Sequence, residues 1–150
     1  MHRRVLVATA TCILLFSSFA SASERLLNGT PASASDWPAS IVTNTGNARC
    51  SATIVGPRTV LIAAHCLGAG APVRFAIGAS EYTSRCQRHP SYPAIDIEVA
   101  LCHVDRDVTD VLYENVLVDA GRVTVDQTLL LTGYGCTAAN GLSDGVFRTG

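Results

Sequence analysis

The sequence predicts an all-β fold, and two observations carry that prediction. The first is a series of short runs rich in β-branched and apolar residues, each bounded by glycine, proline or polar turn residues. The second is that no helical hydrophobic period extends beyond a turn or two. Short strands at this spacing are typical of a β-barrel or a β-sandwich. The predicted strands lie within residues 51–55, 59–63, 73–77, 95–104 and 123–132.

Turn residues separate these strands in order along the chain. Gly56-Pro57-Arg58 makes a tight connection between the first two strands, and glycine-rich loops occupy residues 68–72 and 138–145. Residues 105–114 are more charged than their neighbours, which predicts a connection that crosses between two lobes.

The first 22 residues have the form of a secretory signal peptide. A basic start, His2-Arg3-Arg4, precedes an apolar core, and Ala20-Ser21-Ala22 is a small-residue cleavage site. The apolar core is too short for a stable membrane anchor. We therefore expect an exported protein, extracellular or periplasmic, without a membrane attachment once residues 1–22 are removed.

Composition limits the possible functions of the mature chain. Hydrophobic residues make up 48% and charged residues 15%, as in a globular protein. The net charge of −1 gives no basic footprint, so we expect no nucleic-acid partner. Of the six cysteines, Cys12 lies in the leader. An odd number therefore remains, and export permits the others to form disulfides.

One stretch has the pattern of a positioned general base. The strand that begins at Thr59 ends in Ala63-Ala64-His65-Cys66, and Cys50 lies one hairpin upstream. Acyl transfer by a serine requires a rigidly oriented neutral imidazole that accepts the hydroxyl proton. A strand end held by a disulfide supplies that rigidity. We predict that His65 is the base and that Cys50 pairs with Cys66.

This pattern resembles the trypsin-like (chymotrypsin-fold) serine proteases, and two further segments extend the resemblance. Residues 25–32 with Asp36-Trp37-Pro38 are similar to the mature start of that family, and Thr132-Gly133-Tyr134-Gly135 is similar to the start of its second barrel. The resemblance covers residues 25–150. It implies a trypsin-like double β-barrel, with the first barrel complete and the second truncated.

The resemblance also implies how the chain is processed. Cleavage after Arg25 would free Leu26 as a new N-terminus. Residues 23–25 would then be a short propeptide, and residues 26–150 would be the peptidase domain.

Two carboxylates are candidates for the acid that orients the base. His89-Pro90-Ser91-Tyr92 resembles the family segment that precedes this acid, and the register of Glu98-Val-Ala-Leu101 then places Glu98 in the acid position. Side-chain identity instead favours Asp96, which lies on the same strand face. Choosing Asp96 would put Glu98 where the family has a small buried residue, and burying a second carboxylate is costly. We favour Glu98 and retain Asp96 as the alternative.

The remaining cysteines flank this region or follow it. Cys86 and Cys102 lie on strands expected to be antiparallel neighbours, and we predict that they pair, which leaves Cys136 unpaired. The histidines and cysteines have no metal-ligand spacing such as H-E-x-x-H or C-x-x-C. We therefore predict no metal site, and no cofactor is implied.

The serine nucleophile is the part of the pattern that these residues lack. Ser143 is the only serine after Ser91, and it does not lie in a Gly-Asp-Ser-Gly-Gly motif. Its setting matches the hydrolase elbow G-x-S-x-G only by chance, because a loop precedes it and no histidine follows. We expect a secreted serine endopeptidase acting on polypeptides, inactive as the 150-residue chain. The alternative is a non-catalytic homologue, either a binding module or a decayed remnant. We also expect residues 123–132 to form an exposed apolar edge that makes the chain poorly soluble.

Overall fold

The structure is a computed structural model that describes residues 29–46, 48–68, 70–94, 97–109, 111–135 and 145–150. Within these ranges the regular structure consists of β-strands and short 3₁₀ turns, which confirms the predicted all-β class. Several residues singled out above lie outside the described ranges, namely the proposed leader, Arg25, Leu26, Asp96, Cys136 and Ser143. Among the described residues, no helix has the length and hydropathy needed to span a bilayer.

The strands of the described ranges form one closed barrel and one small sheet. They are β1 (Thr30–Pro31), β2 (Ser40–Thr45), β3 (Ala48–Gly56), β4 (Thr59–Ile62), β5 (Val73–Ile77), β6 (Ser80–Arg88), β7 (Ala100–Val104), β8 (Thr132–Gly133) and β9 (Arg148–Thr149). The barrel order is β2-β3-β4-β7-β6-β5, with antiparallel neighbours, and the pair Asn44–Arg74 closes the ring between β2 and β5. The complete first barrel is therefore confirmed.

Alternate residues of the barrel strands point inward, as the two-residue period of a strand requires. The buried interior is mainly branched or aromatic: Ile41, Ala52, Ile54, Val60, Ile62, Val73, Phe75, Tyr82, Ala100, Cys102 and Val104. Hydroxyl side chains are also buried, and two of them donate to a carbonyl 3.1 Å away, Thr43 to that of Cys50 and Ser84 to that of Val73. The interior thus tolerates polar side chains because their hydrogen bonds are satisfied.

The second sheet contains β1, β9 and β8 in that order. The predicted strand over residues 123–132 is wrong, because regular pairing begins only at Thr132. Leu131 exchanges backbone hydrogen bonds of 2.8 and 3.0 Å with Gly150, and the residues before it run along the surface. Val125 is 90% exposed and Leu129 is 60% exposed, and none of the described strands pairs with residues 123–130 to hold them as a strand.

Candidate active site

His65 lies just beyond the end of β4, in a 3₁₀ turn formed by Ala64–Cys66. Ala64 and Cys66 are buried, with 0% and 3% of their surfaces exposed, so both neighbours of His65 are anchored in the barrel. The His65 side chain is 42% exposed. The turn therefore presents an accessible imidazole on a fixed piece of backbone.

A disulfide ties this turn to the barrel wall. Cys66 is bonded to Cys50 of β3, and the bridge closes a loop with a sequence separation of 16 residues. In the chain-entropy estimate, a loop of this length contributes about 3 kcal/mol to stability. The bridge thus restricts the residue next to His65 as well as stabilising the fold.

Glu98 contacts the backbone and the ring of His65 through one oxygen. Its Oε1 lies 2.6 Å from the backbone nitrogen of His65 and 3.1 Å from Nδ1. The Glu98 carbonyl also accepts a hydrogen bond from the Ala64 N–H at 3.4 Å. Because a carboxylate is only an acceptor, this contact favours the tautomer that carries its proton on Nδ1. Nε2, which lies 3.5 Å from the Cys66 sulfur, is then unprotonated and can accept a proton.

The barrel register explains why these two residues meet although 33 positions separate them. β4 and β7 are antiparallel neighbours, and Ile62 at the end of β4 pairs with Ala100 at the start of β7. His65, three residues after the end of β4, and Glu98, two residues before the start of β7, therefore lie at the same edge of the barrel. Of the two candidate acids, Glu98 is the one that the structure places against His65, and Asp96 lies outside the described ranges.

Arg88, at the end of β6, is a site residue that the sequence reasoning missed. Its Nε donates to the carbonyl of Ala64 at 3.0 Å, and its Nη2 donates to the carbonyl of Leu67. Its guanidinium also lies 5.1 Å from the ring centre of Tyr92. No sequence signal identifies this role, since an arginine at a strand end is ordinarily a solvated surface residue.

The second predicted pair of cysteines is also bonded. Cys86 of β6 and Cys102 of β7 lie directly opposite each other in the ladder and form a disulfide. Cys102 is 1% exposed. This bridge therefore cross-links β6, which ends at Arg88, to β7, which begins two residues after Glu98.

The geometry does not favour a metal at His65. The ligand atoms of Cys50, His65 and Cys66 all lie within 4.8 Å of one another, which is close enough for a shared ion. Both sulfur atoms, however, are committed to the disulfide, and only a thiolate is a strong metal ligand. A single imidazole remains in this group, whereas a catalytic zinc site has three protein ligands.

A cavity of 230 Å³ lies beside Glu98, between the barrel and β8. β8 approaches the barrel closely here because residue 133 is glycine: a Cβ at that position would lie 2.9 Å from Ser51 Oγ. That hydroxyl accepts a 2.8 Å hydrogen bond from the Tyr134 N–H. Burial raises the pKa of the Tyr134 hydroxyl. The space next to Glu98 is therefore shaped by both the barrel and the second sheet.

A carboxylate that contacts Nδ1 of a histidine also occurs in the Ser-His-Asp triad, where it orients the imidazole. The comparison with known families identifies the protein family to which this chain belongs. The family model for trypsin matches residues 26–149, and the chain belongs to the trypsin family.

A solved structure described as "Structure of GrC" has the same fold, with a TM-score of 0.69 at 19% sequence identity. The match covers 83% of this chain and 63% of that chain, so this chain spans less than two thirds of the length of that structure. No curated protein matches the sequence.

Proposed function

We propose that this chain carries the general base and the orienting acid of a secreted, trypsin-like serine endopeptidase. The observation that carries the proposal is the double contact of Glu98 Oε1 with the backbone nitrogen and Nδ1 of His65. A carboxylate in this position favours the imidazole tautomer whose Nε2 accepts a proton from a serine hydroxyl. Membership of the trypsin family supports polypeptides as the substrate class.

In the proposed reaction, His65 moves one proton at each stage. Nε2 takes the proton of the serine hydroxyl while the serine oxygen bonds to the carbonyl carbon of the scissile peptide. The imidazolium then gives that proton to the departing amine as the C–N bond breaks. Water attacks the resulting acyl-enzyme by the same sequence, and the serine hydroxyl is restored. Glu98 accepts the hydrogen bond from Nδ1–H throughout and stabilises the imidazolium.

The serine in this proposal comes from polypeptide outside the 150 residues. In the described part of the chain, the side-chain contacts of the imidazole are with Glu98 and with the sulfur of Cys66. Without a nucleophile and an oxyanion hole, the barrier to acyl transfer is not lowered. We therefore propose that residues 1–150 alone do not hydrolyse peptides.

Export and processing form part of the same proposal. We propose that residues 1–22 direct export, that residues 23–25 are a propeptide, and that the peptidase domain starts at Leu26. Two observations support this proposal: the family match begins at residue 26, and the two disulfides suit an oxidising compartment.

The test is to recover the exported protein from the organism that makes it and to label it with a serine-directed fluorophosphonate. We expect mass spectrometry to find a polypeptide that begins at Leu26, contains His65 and carries the label on a serine in a Gly-Asp-Ser-Gly-Gly motif. The matched control is the same gene with His65→Ala, whose product should be exported but not labelled.

The opposite result is a mature polypeptide that contains His65 and has no serine reactive to the probe. That result would reject the endopeptidase proposal and favour a non-catalytic homologue. A product that begins upstream of residue 26 would reject the processing site while leaving the active-site proposal intact.

A further inference from the structure

We propose that Arg88 is a positioning residue for His65, which it holds from the side of the turn opposite to Glu98. This inference rests on the proposed role of His65 as a general base. We call Glu98 and Arg88 together the turn clamp, because each binds one end of the 3₁₀ turn Ala64–Cys66.

The N–H end of the turn is held by Glu98. The Ala64 N–H donates to its carbonyl at 3.4 Å, and the His65 N–H donates to its Oε1 at 2.6 Å. The first N–H groups of a helical turn have no partner within the turn itself. An acidic residue is therefore well suited to this end.

The carbonyl end of the turn is held by Arg88. The Ala64 carbonyl accepts the turn's own hydrogen bond from the Leu67 N–H at 3.2 Å and a second one from Arg88 Nε at 3.0 Å. The Leu67 carbonyl accepts from Nη2 of the same guanidinium. The Ala64 carbonyl therefore has one partner inside the turn and gains a second in Arg88. The Leu67 carbonyl lies just past the turn, where carbonyls commonly lack an internal partner and a basic side chain can satisfy them. The rigid planar fork of arginine suits two carbonyls at once, which the single ammonium of lysine does not.

Both halves of the clamp are fixed to the same pair of strands. Arg88 pairs with Ala100 in the β6–β7 ladder, and the His89 N–H donates to the Val99 carbonyl at 3.0 Å. The Cys86–Cys102 bridge cross-links the two strands two residues away along each of them. Contact with the Tyr92 ring, 5.1 Å from the guanidinium carbon, further limits the orientation of Arg88. A movement of the His65 turn therefore has to break contacts at both of its ends.

The consequence concerns the proton on the His65 ring. If the carbonyl end is released, the turn can pivot about the Cys66 bridge, and the contact between Nδ1 and Glu98 is no longer constant. The imidazole then spends part of its time with the proton on Nε2, where it cannot act as a base. Arg88 acts only through His65, without contact with the reacting atoms.

The experiment measures the ring tautomer and the amide exchange of His65 in the exported protein, by nitrogen-15 NMR and hydrogen exchange. The variants are Arg88→Met, Arg88→Lys and the control Arg85→Met. The control removes an exposed arginine from the same strand, opposite His103. Glu98→Gln gives the reference for loss of the carboxylate, and His103 is an internal reference for the Arg88 variants.

We expect wild-type His65 to carry its proton on Nδ1. Arg88→Met should raise the Nε2–H population and increase amide exchange at His65 by about tenfold, since hydrogen bonds to a charged group are lost. Arg88→Lys should give an intermediate change, and Arg85→Met should leave His65 as in the wild type. A merely structural role would instead change exchange throughout the barrel and leave the tautomer of folded protein unaltered.

Wild-type tautomer and exchange at His65 in folded Arg88→Met would overturn the inference and leave the proposed function standing. If Arg88→Met does not fold, the same result in folded Arg88→Lys would overturn it. A wild-type protein without the Nδ1–H tautomer would instead reject the role of His65 as a base.

Discussion

At the scale of single residues, the length of the Glu98 side chain determines how it reaches His65. The same oxygen contacts the backbone nitrogen at 2.6 Å and Nδ1 at 3.1 Å, while the backbone of Glu98 is fixed to Ala64. An aspartate on this backbone would be one methylene shorter. The longer Glu98 side chain therefore contacts both the ring and the backbone of the turn.

Replacement of the carboxylate by an amide tests this role directly. Glu98→Gln should lower kcat of the exported enzyme by about 10⁴-fold, because an amide can favour the wrong histidine tautomer without changing the shape of the site. Steady-state hydrolysis of a peptide ester gives the measurement. Glu114→Gln, at an exposed residue, is the control and should retain wild-type kcat. A loss below tenfold in Glu98→Gln would contradict the assignment and return attention to Asp96.

Gly133 provides a second test at this scale. A Cβ at Gly133 would lie 2.9 Å from Ser51 Oγ, whereas a Cβ at Gly68 would lie 4.0 Å from the nearest side chain, that of Ala71. Gly133→Ala should push β8 from the barrel and increase hydrogen exchange of the Tyr134 amide, which donates to that hydroxyl. Overpacking of this kind typically destabilises by about 1–3 kcal/mol. Gly68→Ala should leave the Tyr134 amide protected, and equal exchange in the two variants would contradict the proposed close approach.

At the scale of elements, the two disulfides form a natural matched pair. Each has a sequence separation of 16 residues, so the loop-closure contributions of the two bridges should be nearly equal. They differ in what they join: Cys50–Cys66 joins β3 to the His65 turn, and Cys86–Cys102 joins two strands that are already paired by backbone hydrogen bonds.

Removing each bridge in turn distinguishes its contribution to the stability of the fold from its contribution to the position of His65. Cys50→Ala with Cys66→Ala and Cys86→Ala with Cys102→Ala should each lower the free energy of unfolding by about 3 kcal/mol in urea titrations. Only the first pair of substitutions should markedly increase hydrogen exchange at the His65 amide under native conditions. Equal exchange in both double variants would show that the bridge beside His65 has no local role.

The strands also show how far the sequence predicts the structure. β3, β4, β5 and β7 were predicted from their apolar runs, and β6 was predicted only as the strand that carries Cys86, without bounds; β2 was missed. β2 and β6 place hydroxyls such as Thr43 and Ser84 inside the barrel, where local hydrogen bonds satisfy them, so their hydrophobic alternation is weak. For residues 123–132 a strand was predicted, but the structure has regular pairing only from Thr132. Residues with high β-propensity form a strand only where a partner strand exists.

The residues of the candidate site could be predicted only in part. His65 and Glu98 were predicted from local motifs and family spacing. Arg88 contacts carbonyls 21 and 24 positions away, and backbone carbonyls leave no trace in the amino-acid pattern. Contacts of this kind depend on the barrel register, which the sequence alone did not define.

At the scale of the whole molecule, apolar exposure is concentrated in the segment that follows the barrel. Leu112 is 82% exposed, Val118 is 95% exposed and Val125 is 90% exposed. Exposed apolar patches of this kind promote association between molecules.

We expect the 150-residue chain to self-associate through this segment. Val118→Asp with Val125→Asp should shift the sedimentation profile towards the monomer, because charges oppose apolar contact. Thr128→Asp, an exposed substitution in the same segment, controls for added charge. If the control and the double variant sediment alike, the apolar side chains of this segment are not the cause of association.

The attachment of the His65 turn to β3, to β6 and to the segment that leads into β7 has a consequence for heat tolerance. A catalytic group on a free loop loses its alignment gradually as temperature rises, well before the protein melts. Here the turn is bound to β3 by the Cys50–Cys66 bridge, to β6 by Arg88, and to Glu98 in the segment that leads into β7. These strands belong to one closed barrel, which opens cooperatively. Alignment of the imidazole should therefore persist up to the melting temperature of the barrel and then disappear within the same few degrees.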